Sequence, residues 1–328
     1  MSHIKSMLIV GFFLITATQY AQYTDVINSN RPGESMSAFS VGKTVFQAEA
    51  GIYAVRENHS LLNYEAKGFG TDLSLRYGAF FEQFEMILDL QYQKDCYETV
   101  IFSENRSGLK QTTIGAKYLV FDPFKNSKED KPNLYSWKAN HSTKFNFKDL
   151  IPAVSVYAGF NIQIGNNPYT FEGDKKISPK IMLITQNHIG TRWVFVTNII
   201  ADKFTTEYPS LGFVVTLTRG LNARWSGFLE MQGYKSDFYA DNILRIGAAY
   251  LVRENIQVDA SISKNVKYTP ELIFGSIGIS WRFDQNYENV LLRDTHAIDE
   301  KKSKDKKSKK GKKGKKRKDE VELEKTKP

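Results

Sequence analysis

A two-residue alternation of apolar and polar side chains runs from Thr44 to Phe283, and it constrains the fold more than any other feature of the chain. Successive side chains of a β-strand point to opposite faces of the sheet, so this alternation predicts strands with one apolar and one polar face. The pattern recurs in about twelve segments separated by turn-forming residues. We therefore predict an all-β chain of antiparallel strands.

The last of these segments, residues 274–283, shows the alternation well. Ile277, Ile279, Trp281 and Phe283 share one face, and small or polar residues occupy the other. An apolar face that ends in aromatic residues suits a barrel wall in lipid, with the rings at headgroup level and the polar residues turned toward a wet lumen. Trp281 and Phe283 are therefore the candidate barrel-closing residues. A soluble sandwich gives the same alternation, with one face on the core and one in water.

The lengths of the links between segments favour the membrane barrel. Bacterial outer-membrane barrels have short periplasmic turns and longer external loops, whereas a sandwich has no reason to alternate them. The even-numbered links are predicted to be short: residues 78–83, 188–191, 219–223 and 252–255. The odd-numbered links are predicted to be long: residues 54–70, 94–108, 165–177, 202–210, 233–241 and 264–272. The fourth link, residues 121–150, breaks the rule and is interpreted as a periplasmic insertion.

The beginning of the chain carries an export signal. Residues 1–21 read as a secretory signal peptide, in which Lys5 precedes a short apolar run and Ala21 ends a cleavage site. The apolar run is shorter than the roughly 20 residues that a membrane-spanning helix needs, and no longer run follows. We predict an irregular periplasmic segment over residues 22–43 and a transmembrane β-barrel of about twelve strands over residues 44–283. With an even number of strands, both termini face the periplasm.

The net charge of +9 belongs almost entirely to the end of the chain. Residues 299–328 hold fourteen Lys, one Arg and seven acidic residues, a net charge of +8. Residues 284–328 are too charged and too poor in apolar side chains to fold alone, and we predict a disordered basic periplasmic tail. The stretch from Lys301 to Lys318 is expected to bind anionic lipid headgroups or the cell-wall polymer, unless it stays solvated without a fixed partner. Export and the lack of aromatic residues in that stretch argue against nucleic acid.

The sequence offers no motif for catalysis or for a cofactor. Four histidines follow the signal peptide, and none lies in mid-strand beside a serine, as a lipid-hydrolysing barrel would require: His59, His141, His188 and His296. Metal-ligand spacings and phosphate-binding glycine loops are missing as well. Cys96 has no second cysteine with which to form a disulfide. We expect no enzyme, no catalytic residue, no metal and no cofactor.

The polar faces of the predicted strands carry charges of both signs. In a barrel these side chains point inward, where they either pair with one another or line a wet path. A lumen closed by its own salt bridges and a selective pore both remain open at this point. We also hypothesise that residues 22–43 fold into the lumen as a plug, with Arg31 paired to an inward carboxylate. The candidate lumen-lining residues are Glu49, Asp72, Arg76, Glu85, Asp89, Lys117, Arg245, Asp259 and Arg282.

Several stretches resemble a known family. Residues 28–35 read Asn-Ser-Asn-Arg-Pro-Gly-Glu-Ser, and residues 42–49 read Gly-Lys-Thr-Val-Phe-Gln-Ala-Glu. Together they resemble the "Asp-Arg-Pro … Gly-x-x-x-Phe-Gln-x-Glu" opening of the outer-membrane transporter family named for the MetA pathway of phenol degradation. Residues 221–230, 255–261 and 278–283 are also similar to that family. The chain departs from the pattern at Asn30, where the family usually has Asp, in the long fourth link and in the extension after Phe283.

The resemblance covers roughly residues 26–283 and implies a barrel that moves small, often hydrophobic compounds, rather than an enzyme of phenol breakdown. We therefore expect an outer-membrane channel or transporter, inserted into outer-membrane lipid by the barrel-assembly machinery. The alternative is a non-conducting structural or assembly barrel that docks a periplasmic partner through its tail. A soluble exported sandwich is the third interpretation. A fold-level resemblance does not fix a substrate.

Overall fold

The computed structural model describes residues 27–123, 150–165, 167–170, 174–190, 192–237 and 239–284. Twelve antiparallel strands form a closed barrel in which each strand pairs with its neighbours in the chain and the first pairs with the last. The strands are β1 Phe46–His59, β2 Tyr64–Gly78, β3 Phe84–Thr99, β4 Ser103–Phe121, β5 Ala153–Ile162, β6 Ile177–Ile189, β7 Trp193–Asp202, β8 Ser210–Gly220, β9 Trp225–Ser236, β10 Ala240–Arg253, β11 Ile256–Asn265 and β12 Glu271–Phe283.

The predicted all-β antiparallel barrel of about twelve strands is thus confirmed. Within the described residues, no helix has the length and apolar character needed to cross a membrane. Three predictions fall outside those residues and stay predictions. They are the signal peptide over residues 1–21, the insertion in the link between β4 and β5, and the basic tail over residues 284–328, of which residue 284 alone is described.

The barrel wall is apolar outside and polar inside. Along β12 the outward side chains Ile277, Ile279 and Trp281 are 56%, 48% and 46% exposed, whereas the intervening Ser280 and Arg282 are buried. An apolar surface that encircles the molecule has no place in water, because soluble proteins seldom expose continuous apolar areas. It suits the hydrocarbon layer of a membrane. The fold is therefore a transmembrane β-barrel, and the soluble sandwich is ruled out.

The first and last strands close the barrel through a long, regular ladder. Phe46 faces Phe283 and Ala48 faces Trp281 across the β1–β12 pair, which continues without a bulge to Asn58 and Glu271. The Trp281 and Phe283 rings lie 4.2 Å apart, and the Phe46 ring lies 5.8 Å from the Phe283 ring. We call this end of the barrel, where β1 begins and β12 ends, the terminus-side rim. The opposite end is the far rim.

Four of the links predicted to be long are short turns instead. Strands take up much of residues 54–70, 94–108, 233–241 and 264–272, and three to five residues separate β1 from β2, β3 from β4, β9 from β10 and β11 from β12. Outside the lipid a strand no longer needs an apolar face, so its ladder continues with polar residues on both sides. The pairing of Arg56 with Glu65, at 2.7 Å, lies on such an extension. Periodicity therefore underestimates the strands, while the short even-numbered turns after β2, β6, β8 and β10 are confirmed.

Candidate functional site

Residues 27–45, which we call the luminal segment, fill the interior of the barrel before the chain enters β1. The segment makes hydrogen bonds or ion pairs with residues on every strand except β8. A peptide can contact so many strands of a closed barrel only from within it. Ala38 and Val45 of the segment are completely buried. The segment enters beside the β10–β11 turn, where the N–H of Ile27 donates to the carbonyl of Glu254 at 2.8 Å.

Two buried wall carboxylates hold the backbone of the luminal segment. Glu49 on β1 accepts the N–H groups of Asn30 and Arg31 at 3.1 and 3.2 Å. Glu230 on β9 accepts the N–H groups of Glu34 and Ser35 at 3.0 and 3.3 Å. Successive N–H groups that converge on one anion form a favourable, charge-assisted arrangement. Much of the segment is therefore fixed by its main chain.

Arg31 is held by its side chain as well as by its backbone N–H. Its guanidinium pairs with Asp72 on β2 and, at 3.2 Å, with Asp259 on β11. Between these strands it lies against Gly51 on β1 and Gly278 on β12, where a Cβ atom on either glycine would be 2.3 Å from an Arg31 nitrogen. The order Asp72, Gly51, Gly278, Asp259 is one continuous row of cross-strand partners. We call this row the Arg31 cradle.

The cradle fits a cation by both shape and charge. The two glycines leave a flat floor for the planar guanidinium, and the two carboxylates accept from its edges. Burial alone would lower the pKa of Arg31, but Asp72 and Asp259 outweigh it and hold that pKa above its ordinary value. Arg31 therefore stays charged, and it ties together the four strands around the seam where the barrel closes.

Amide and lysine side chains complete the contacts on the other side of the lumen. The Asn198 side chain accepts from the N–H of Met36 at 2.6 Å and donates to the Met36 carbonyl at 2.9 Å, as a neighbouring strand would. Lys117 donates to the carbonyls of Ser37 and Phe39 at 2.8 and 2.9 Å. These bonds satisfy backbone groups that would otherwise be buried without partners.

Beneath the segment lies a network of fully buried charges. Arg76 pairs with Glu49 at 2.9 Å and with Glu85 at 2.5 Å, and Lys117 lies 3.3 Å from Glu85. All four side chains are completely buried. Because each charge has at least one opposite neighbour, the network is balanced as a unit and would be costly to interrupt at a single member.

The nine predicted lumen residues all occur on strands of the barrel, and most contact the network or the segment. Asp72 is partly exposed beside Arg31, and Asp89 is half-buried and accepts from the Ser74 hydroxyl at 2.6 Å. Arg282 lies apart from the network at the terminus-side rim, 3.2 Å from Asp284. The other six are buried: Glu49, Arg76, Glu85, Lys117, Arg245 and Asp259.

Sequence reasoning missed Glu230, which anchors the segment and pairs with Arg245. Its position between Leu229 and Met231 puts it on the polar face of β9, so the alternation alone could have added it to the candidates. Asn198 and Gln186, whose side-chain oxygen accepts the N–H of Ala38 at 3.0 Å, have no such signal in the sequence. An uncharged amide on an inner face looks the same in the sequence whether or not its side chain binds a backbone.

A cavity of about 840 Å³ adjoins the Arg31 cradle. Its lining includes all four cradle residues together with apolar side chains of the same strands, among them Ile52 and Ile277, which point outward and are 54% and 56% exposed. The cavity therefore lies on the outer, membrane-facing side of the wall, behind the two cradle glycines. Among the described residues, no group of three or more His, Cys, Asp or Glu side chains could hold a metal ion.

Together these features define a transmembrane β-barrel whose interior is occupied by its own N-terminal segment. Residues 29–283 match the family described as the MetA-pathway of phenol degradation, and the chain belongs to that family. No curated protein matches the chain.

The similar solved structures include membrane channels of low sequence identity. An outer membrane channel from Pseudomonas putida F1 has a TM-score of 0.51 and 10% identity over 78% of this chain and 100% of its own. The KdgM porin has a TM-score of 0.41 and 10% identity over 71% and 99% of the two chains. The CymD monoaromatic hydrocarbon channel has a TM-score of 0.40 and 8% identity over 74% and 89%. The first of these similarities shows a shared barrel fold.

Proposed function

We propose that this protein is an outer-membrane channel for small, predominantly hydrophobic molecules, closed at rest by the luminal segment. The observation that carries the proposal is the position of Arg31. Its ion pairs with Asp72 and Asp259 join the segment to the wall at the seam where the barrel closes. Membership of the family and the membrane-type exterior support placement in the outer membrane, with both termini in the periplasm.

The luminal segment is held in a way that permits release. Its contacts with the wall among the described residues are non-covalent. Most are hydrogen bonds and ion pairs, and Met36, Ala38 and Phe39 also pack against a buried apolar cluster that includes Ile87 and Ile184. Around Arg31 the wall groups that the segment would leave behind include the Asp72 and Asp259 carboxylates, which water entering the lumen would solvate. Release of Met36, Ala38 and Phe39 would instead expose apolar surface, so the Arg31 end is the easier one to free. We propose that passage requires the segment to shift at the Arg31 cradle, which would open the lumen along β1, β2, β11 and β12.

A reversible crosslink would test this gating directly. The Ser29 and Ser280 hydroxyl oxygens lie 2.6 Å apart, so a Ser29→Cys, Ser280→Cys pair in a Cys96→Ser background can form a bond that fastens the segment to β12. In liposomes we expect the crosslinked barrel to pass a small aromatic hydrocarbon several-fold more slowly than the same protein after reduction. The matched control is Ser280→Cys, Cys96→Ser, whose flux should not respond to reductant. Equal flux in both redox states would count against a moving segment.

Deletion of residues 22–43 tests the plug itself. We expect a rise in planar-bilayer conductance and a faster flux, provided that the shortened barrel still changes its gel mobility on boiling. An unchanged conductance in a folded deletion variant would reject the plug.

A second candidate function, a non-conducting structural barrel, is favoured by the luminal segment's contacts with eleven of the twelve strands. In this alternative the basic stretch from Lys301 to Lys318 would dock a periplasmic partner. The two candidates separate cleanly, because an anchor conducts neither before nor after reduction of the crosslink.

A further inference from the structure

Three exposed arginines lie close together at the terminus-side rim. Arg219 is near the end of β8, Arg224 precedes β9 and Arg253 ends β10, and these three strands are neighbours in the barrel. Adjacent strands are about 4.8 Å apart, so the three side chains occupy one short arc of the rim. Within the described part of the chain, none of them forms an ion pair. We call these three residues the arginine arc.

Outward-facing aromatic rings contact two residues of the arginine arc and indicate its depth relative to the membrane. The Arg219 guanidinium lies over the Trp193 ring, 5.0 Å from its centroid. The Arg224 Nη1 atom donates to the Tyr250 hydroxyl at 3.4 Å, and the Tyr250 ring lies 4.8 Å from the Trp225 ring. Tryptophan and tyrosine mark the boundary between hydrocarbon and headgroups in membrane barrels. The Arg219 and Arg224 guanidinium groups are therefore held at the level of lipid headgroups, and Arg253 ends the neighbouring strand β10 at the same rim.

Stacking on a ring engages the face of a guanidinium and leaves its N–H edges available. Those edges match the oxygens of a phosphate in a two-pronged arrangement that a lysine cannot reproduce. Deeper in the wall, Leu229 and Ile246 are 56% and 58% exposed on strands β9 and β10. A phosphate on the arginine arc would thus have its acyl chains beside an apolar surface.

The same rim has a different character on the opposite side of the barrel. The turn between β2 and β3 exposes Phe80 and Phe81 to 72% and 63%, and its charged residue is the acidic Glu82. Basic charge therefore does not follow from the rim position in general, because the β2–β3 turn at the same rim lacks it.

We propose that the arginine arc binds the phosphate of an anionic glycerophospholipid in the leaflet next to the terminus-side rim. The charges of the two partners are complementary, and the neighbouring wall accommodates the lipid's chains. The proposal depends on membrane insertion but not on transport, so it can hold whether or not the lumen conducts.

Native mass spectrometry of the full chain, released from detergent with defined lipids, provides the test. We expect the wild-type barrel to retain phosphatidylglycerol at least about tenfold better than phosphatidylcholine of the same chain length. Replacing the arc by Arg219→Gln, Arg224→Gln, Arg253→Gln should abolish that preference, and the corresponding Arg→Lys set should restore it only in part. The matched control removes three cations near the far rim: Arg56→Gln, Lys67→Gln and Lys264→Gln.

Each outcome decides the proposal. Equal retention of the two lipids by the wild type would overturn it without any variant, which protects the test against misfolding of the triple substitution. Equal loss in the arc and control variants would also overturn it, because the charge effect would then be general. Preference for lipopolysaccharide over phosphatidylglycerol would assign the arc to the other leaflet and reject the proposed lipid. Conductance of the same samples tests the proposed channel separately.

Discussion

The interior of the barrel and its far rim both carry pairs of opposite charges, and the two regions use them differently. Inside, Arg76 pairs with Glu49 and Glu85 with no exposure to solvent. At the far rim, the Lys264 and Glu271 side chains are 56% and 38% exposed at a similar separation of 2.7 Å. Water screens the Lys264–Glu271 pair, so that pair adds little to the free energy of unfolding. Arg76 is cut off from water, so no solvent molecule could replace a lost carboxylate partner. Similar distances therefore correspond to very different energies within one wall.

The largest effect should come from Glu230→Ala. The substitution removes the acceptor of two segment N–H groups and leaves Arg245 without its buried partner. We expect the free energy of unfolding to fall by about 3–5 kcal/mol, the usual cost of breaking a buried pair. Urea titration in detergent micelles would measure it. Glu65→Ala at the far rim is the control. If Glu230→Ala lowers the free energy of unfolding no more than Glu65→Ala does, charge pairs in the interior and at the far rim contribute equally.

Arg31→Ala should have the next largest effect. It empties the cradle and leaves Asp72 and Asp259 facing each other across two glycines without their shared cation. We expect a loss of roughly 2–4 kcal/mol, since Asp72 is partly solvated and tolerates the loss better than a fully buried group. The same urea titration applies, together with faster proteolysis within the luminal segment. Unchanged proteolysis would mean that the backbone contacts alone hold the segment.

Gly278→Ala tests the shape of the cradle. The new Cβ would overlap the Arg31 side chain, which must then move away from its carboxylates. We expect a loss of about 1–3 kcal/mol in the wild type and almost none in the Arg31→Ala background, a strong non-additivity. A double-mutant cycle measured by urea titration gives the coupling. Additive losses would show that Gly278 is needed for the strand and not for Arg31.

The smallest effect is expected for Lys264→Gln. Its pairing with Glu271 lies in solvent, so the urea midpoint should stay within experimental error of the wild type. Raising the salt concentration should leave the comparison unchanged. A clear shift in the midpoint would mean that this exposed pair stabilises the barrel as the buried pairs do.

Most of the barrel could be predicted from the sequence, but only part of its interior could. Alternation located all twelve strands because lipid on one side and water or protein on the other impose a period of two. It shortened β1 to β4 because polar ladders outside the membrane lack that period. It placed Asp72 and Asp259 on inner faces, but not beside one another, because 187 positions separate them in the chain. The pairing of Arg31 with both depends on barrel closure, which no local pattern records.

The Arg31 cradle also imposes an order on assembly. Two of its four residues come from β1 and β2, which leave the ribosome early, and the other two come from β11 and β12 at the end of the barrel. Arg31 and Asp259 are 228 positions apart. The luminal segment therefore cannot make all of its contacts until β12 has paired with β1. An Arg31 side chain bound in the cradle is thus a sign that the barrel has closed.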